Sequence, residues 1–106
     1  MGFEEDALLA LTRTGLEGYT KTLAKNFVAD AITVNSVGVG PSEDYLLGKS
    51  PTAKSVQAAQ EELLKNYGAF KPTNAMDVAN VVCFLASPLA SAITGQTLSA
   101  SGGLFL

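Results

Sequence analysis

At 106 residues the chain fits a single domain, and 47% hydrophobic with 16% charged residues is a globular composition, not a disordered one. A net charge of -3, with seven Lys and Arg that never cluster, leaves no electrostatic footprint for nucleic acid or an anionic membrane. Without histidine there is no Ser-His-Asp or Cys-His catalysis, and with Cys83 as the one cysteine neither a metal site nor an intramolecular disulfide is expected.

Cys83 sits in the apolar run VVCFLA, where a buried thiol is expected, and a reducing, cytoplasmic setting fits it. The start, MGFEEDA, is acidic and does not read as a secretory leader. No apolar run approaches the roughly 18 residues of a membrane span.

The first element runs from Ala7 to Phe27, ALLALTRTGLEGYTKTLAKNF. Leu8, Leu11, Leu16, Tyr19, Leu23 and Phe27 recur mostly at helical spacing, which predicts an amphipathic helix with one buried stripe. Glu4, Glu5 and Asp6 suit its positive end, and Arg13, Glu17 and Lys21 place alternating charge along an exposed edge. Gly15 and Gly18 each cost about 1 kcal/mol against Ala inside a helix. Close approach of another backbone would account for them; otherwise they only weaken the helix.

A three- or four-residue turn follows, and then ITVNSVGVG changes period, reading as a short buried strand from about Thr33 to Gly38. Gly38 and Gly40 give the start of a dinucleotide turn, but its third glycine would fall at Glu43, whose carboxylate would repel a pyrophosphate. Residues 42–70 read as an excursion, with a helical pattern whose buried side is Val56, Ala59, Leu63, Leu64 and Tyr67. Either a substrate lid or a plain surface cover fits it. Asn74 with Asp77 three residues on predicts the start of a helix over Ala75–Ala86, with a wide apolar face, ended by Ser87-Pro88. A turn at Thr94-Gly95 leads to a strand over Gln96–Ala100, closed by Gly102-Gly103. Two strands joined through helices would be parallel, yet two parallel strands are not a self-sufficient sheet. The fold class is therefore α/β but incomplete alone, with an open strand edge that asks for a partner.

Several of these stretches, in order and spacing, resemble the C-terminal half of a short-chain dehydrogenase/reductase. TRTGLEGYTKTLAKNF is similar to that family's active-site helix, and ITVNSVGVG to the strand and Pro-Gly turn that follow it. MDVANVVCFLASPLASAITGQTLSASGG is similar to its closing segment. The resemblance implies the C-terminal part of a Rossmann-like, doubly wound parallel sheet: long helix, strand, lid helix, helix, strand. Residues 1–106 would then be a partial domain, with 7–28 the active-site-type helix, 42–70 the lid and 75–103 the closing helix and strand.

The same resemblance locates departures. The family's Tyr-x-x-x-Lys falls on Leu9 and Arg13, so the general acid is replaced by a side chain with no titratable proton. Arg13 keeps a charge but as a planar fork, not a point ammonium. The Pro-Gly turn that meets the nicotinamide is Val39-Gly40, and Glu43 and Asp44 follow where acids would repel cofactor phosphates. No catalytic residue is therefore assigned; Arg13, Val39 and Gly40 are the only cofactor-binding candidates. No cofactor is expected on this chain alone, with NAD or NADP possible in a complex.

The expected function is a non-catalytic subunit or fragment that assembles, as homo- or hetero-oligomer, with a catalytic short-chain dehydrogenase/reductase. The alternative is a working NAD(P)-dependent oxidoreductase whose nucleotide-binding half and proton donor come from elsewhere. Tyr45, Tyr67 or a partner's tyrosine would then donate the proton.

Overall fold

The computed structural model describes residues 7–40 and 73–103, together with Ala58 and Glu61. Among the described residues the main elements are, in order, helix α1 (Ala7–Phe27), strand β1 (Ser36–Val39), helix α2 (Ala75–Leu85) and strand β2 (Thr97–Ala100). Short 3-10 turns, Val28–Asp30 and Pro88–Ala90, follow the two helices. The chain divides into two compact units, Met1–Val37 with Val82–Leu98, and Gly38–Val81 with Ser99–Leu106.

Helix α1 has the expected bounds, but its burial is inverted. Leu8 and Leu11 are 73% and 69% exposed, and Leu16, Tyr19 and Phe27 are exposed as well. Thr20 and Ala24 are instead the buried positions, at 4% and 5%. Thr20 can be buried because its hydroxyl donates to the Leu16 carbonyl at 2.8 Å, so no polar group is left without a partner. Arg13, Glu17 and Lys21 lie on an exposed edge, as their spacing requires. The acidic residues 4–6 lie outside the described residues. Among the described residues no neighbouring backbone approaches Gly15 or Gly18, since a Cβ at either would meet nothing within 4 Å.

The connection from α1 to β1 is longer than a tight turn. Ala31 ends the 3-10 turn in the left-handed region, at φ 57°, and residues 32–35 run outside any regular element. Strand β1 consequently begins at Ser36, three residues later than expected. The cause is long-range: the Val34 N–H donates to Thr94 Oγ1 at 3.1 Å, and Asn35 Nδ2 donates to the Ile93 carbonyl at 3.0 Å. Asn35 Oδ1 in turn accepts from the Gln96 N–H at 3.1 Å. Side chains thus hold the segment that the periodicity assigns to the ladder.

From Ser36 onward the backbone takes over. The Ser36 N–H donates to the Gln96 carbonyl at 2.9 Å, and the Gly40 N–H to the Ala100 carbonyl at 3.3 Å. The same offset at both ends means that β1 and β2 run parallel, in a two-stranded sheet. Strand β1 is half-buried to exposed rather than buried on both faces, and among the described residues its sheet has two strands.

Helix α2 starts as its sequence dictates. The Asp77 N–H donates to Asn74 Oδ1 and the Asn74 N–H to Asp77 Oδ2, each at 3.0 Å, a reciprocal cap. It ends at Leu85, one residue early, although the Ala86 N–H still donates to the Val82 carbonyl at 3.0 Å. Its wide apolar face is only partly covered: Val78, Val81 and Leu85 are half-buried, while Met76, Val82 and Phe84 are exposed. Cys83 is exposed too, correcting the expectation of a buried thiol. Strand β2 begins one residue late, at Thr97, since Gln96 is engaged with Asn35. The predicted lid helix lies outside the described residues except at Ala58 and Glu61, which are helical and exposed.

Candidate functional site

Leu9 and Arg13 lie four residues apart on α1, and Arg13 is exposed. At about 100° per residue, positions 9, 13, 20 and 24 fall within roughly 60° of one another, on the side that buries Thr20 and Ala24. Leu16 and Phe27, both exposed, fall on that side as well, whereas exposed Leu8, Leu11 and Tyr19 fall on another. Leu9 contributes no dissociable proton.

Val39 and Gly40 belong to the second unit, at the carboxyl end of β1. Val39 is exposed; Gly40 is buried. An added Cβ at Gly40 would lie 2.5 Å from the Ser101 Cα and 2.7 Å from its carbonyl oxygen. The glycine is required by the close passage of the chain just after β2, so its presence does not by itself argue for a ligand. Its carbonyl accepts from the Thr73 hydroxyl at 3.5 Å, and Ser101, also buried, receives a 2.8 Å hydrogen bond from the Ser99 hydroxyl. Gly40, Thr73 and Ser101 thus form a small polar knot at the strand ends.

The space on the Cβ side of Gly40 is filled by Ser101, and position 9 lacks the acid that the chemistry needs. Glu43, Asp44, Tyr45 and Tyr67 lie outside the described residues. Among the described residues no group of three His, Cys, Asp or Glu could hold a metal ion, and no helix is long and apolar enough to cross a membrane.

Neither Thr73 nor Ser101 is among the candidates read from the sequence. Their roles depend on contacts across 33 and 61 residues of chain to Gly40, and Ser and Thr carry no local signal for such a contact.

A family profile described as "Enoyl-(Acyl carrier protein) reductase" matches residues 1–105. The chain is 34% identical over all of its 106 residues to a 3-oxoacyl-(acyl-carrier-protein) reductase FabG of Pseudomonas aeruginosa, and equally to that of Escherichia coli K12. A Haemophilus influenzae relative of the same name is 37% identical over 94 residues. The chain spans 41% of the length of the first two relatives and 37% of the third. Among solved structures, one described as "4-hydroxyisoleucine dehydrogenase complexed with NADH" superposes with a TM-score of 0.73 at 23% identity, covering 90% of this chain and 38% of that one. At that identity the likeness is one of fold.

Proposed function

Since the chain belongs to the short-chain dehydrogenase/reductase family, we propose that it acts as a non-catalytic subunit or fragment of that family, assembling with a catalytic relative. The observation that carries this reading is the outer face of α1. Leu8, Gly15 and Tyr19 fall within about 40° of one another around the helix, with Leu11 beside them. The three large side chains are exposed, and among the described residues nothing stands over the glycine. Burying each large side chain would be worth about 1–2 kcal/mol, and a glycine between them lets a second helix come close. A contiguous apolar face of this kind on a folded chain marks an association surface.

Chemistry supports the non-catalytic half of the reading. A short-chain reductase must deliver a proton to the oxygen of its carbonyl substrate as hydride arrives at carbon. Position 9 cannot do this with leucine. The relatives are named as reductases of 3-oxoacyl groups on acyl carrier protein, which makes a catalytic subunit of that kind the first partner to test.

The end-to-end match to those reductases favours the second reading, a working NAD(P)-dependent oxidoreductase completed by structure and a proton donor from elsewhere. Titrating NADH and NADPH into the chain alone, and into whatever complex it co-purifies in, separates the two. Saturable binding in the complex only is the expected result. Saturable binding by the chain alone overturns the non-catalytic reading, and loss of turnover in Tyr45→Phe or Tyr67→Phe would establish the alternative.

A further inference from the structure

On the side of α1 away from Leu8 and Tyr19, the first unit holds an open groove of about 570 Å3. One wall is Lys21, Ala24, Lys25 and Val28 of the helix and the turn after it; the other is the segment from Thr94 to Gln96. The helix supplies two ammonium groups one turn apart, about 6 Å along its axis. Among the described residues neither has a carboxylate partner, in a chain whose net charge is -3. Beside them the wall is mostly apolar, made of the Ala24 methyl, Val28 and the lysine stems, with Thr22 also lining it.

The opposite wall is held firmly. The Gly95 N–H donates to the Val34 carbonyl at 2.7 Å, and Thr94 Oγ1 accepts from the Val34 N–H at 3.1 Å, which leaves the Thr94 hydroxyl proton available to donate. Gly95 has φ +72°, and a Cβ there would sit 3.4 Å from the Ala24 Cβ. That Cβ would be in ordinary contact with the helix, so it is the positive φ of the turn at the groove's end that calls for glycine.

We propose that this groove binds an amphiphilic anion, its acidic head between the Lys21 and Lys25 ammoniums and its apolar body against Ala24 and Val28. Two cations with no carboxylate partner among the described residues supply charge complementarity, and the apolar wall beside them selects against a bare inorganic ion. The proposal is independent of the assembly surface, which lies on a different side of the helix.

The test uses the full chain with anilinonaphthalene sulfonate as the amphiphilic anion, neutral N-phenylnaphthylamine as its uncharged counterpart, and inorganic phosphate as the head alone. Backbone amide shifts locate binding. The expected result is saturable sulfonate binding that shifts the amides of Thr94, Gly95 and Gln96. In Lys21→Gln/Lys25→Gln its affinity falls by roughly tenfold, while that of the neutral probe is unchanged and phosphate binds far more weakly than the sulfonate. The inference is overturned if the double variant keeps the sulfonate affinity, if phosphate binds as well as the sulfonate, or if the shifts are confined to the Leu8 and Tyr19 face.

Discussion

Gly40 illustrates how one residue type can answer to two different causes. Beside a strand's carboxyl end a glycine invites a cofactor reading, but here Ser101 crosses so closely that any side chain would collide with backbone. Gly40→Ala is therefore expected to lower stability by about 1–3 kcal/mol, measured as a shift of the urea midpoint at constant slope. An unchanged midpoint would return Gly40 to the cofactor question. Asn74 and Asp77 are simpler, because their reciprocal hydrogen bonds are local. Replacing Asp77 by Ala should cost about 1 kcal/mol and fray the start of α2, visible as faster hydrogen exchange at Ala75 and Met76. At position 9 the expectation is chemical: Leu9→Tyr with Arg13→Lys should give no NADH-dependent reductase activity in the chain alone, assayed with a generic diketone. Turnover by that variant would show that the missing proton donor was the only defect.

Helix α1 carries the clearest lesson at the scale of elements. Its bounds, Ala7–Phe27, follow directly from the apolar spacing, and the cap of α2 and the Thr94-Gly95 turn are equally local. Which side of α1 is buried was not legible, because a core stripe and an association stripe have the same period. The late start of β1 was hidden for another reason. Asn35 is an ordinary polar residue in its own neighbourhood, and only the arrival of Ile93 and Gln96 makes it a clasp that displaces the ladder. The Gly40 site was half legible: the glycine stood out, but Thr73 and Ser101, which explain it, did not. Gly15 and Gly18 allow the two meanings of α1's face to be separated. Gly15→Ala and Gly18→Ala should each raise the helix's own stability by about 1 kcal/mol, read by thermal unfolding of the chain alone. The same changes should weaken assembly, since a Cβ would intrude where a partner helix comes close. Stabilisation with no loss of assembly would place the partner on some other surface.

For the whole molecule, the described residues have few buried apolar side chains, Ala24 and Ala90, while large apolar groups on both helices face outward. Two parallel strands with exposed neighbours are a fragment of a family that needs more sheet and more helix to close its core. Membership in the short-chain dehydrogenase/reductase family explains why the elements and turns are so regular despite this. The local signals that build helix, strand and turn persist, whereas the acid at position 9 does not.

The most direct test is sedimentation equilibrium of the purified chain, alone and after co-expression with a catalytic short-chain reductase, comparing the native sequence with Leu11→Glu/Tyr19→Glu. The account predicts that the native chain sediments as an assembly, and that the double variant, its helix content unchanged, sediments at the mass of one chain. A native chain that is fully folded at the mass of a single copy, with or without the reductase, would contradict it.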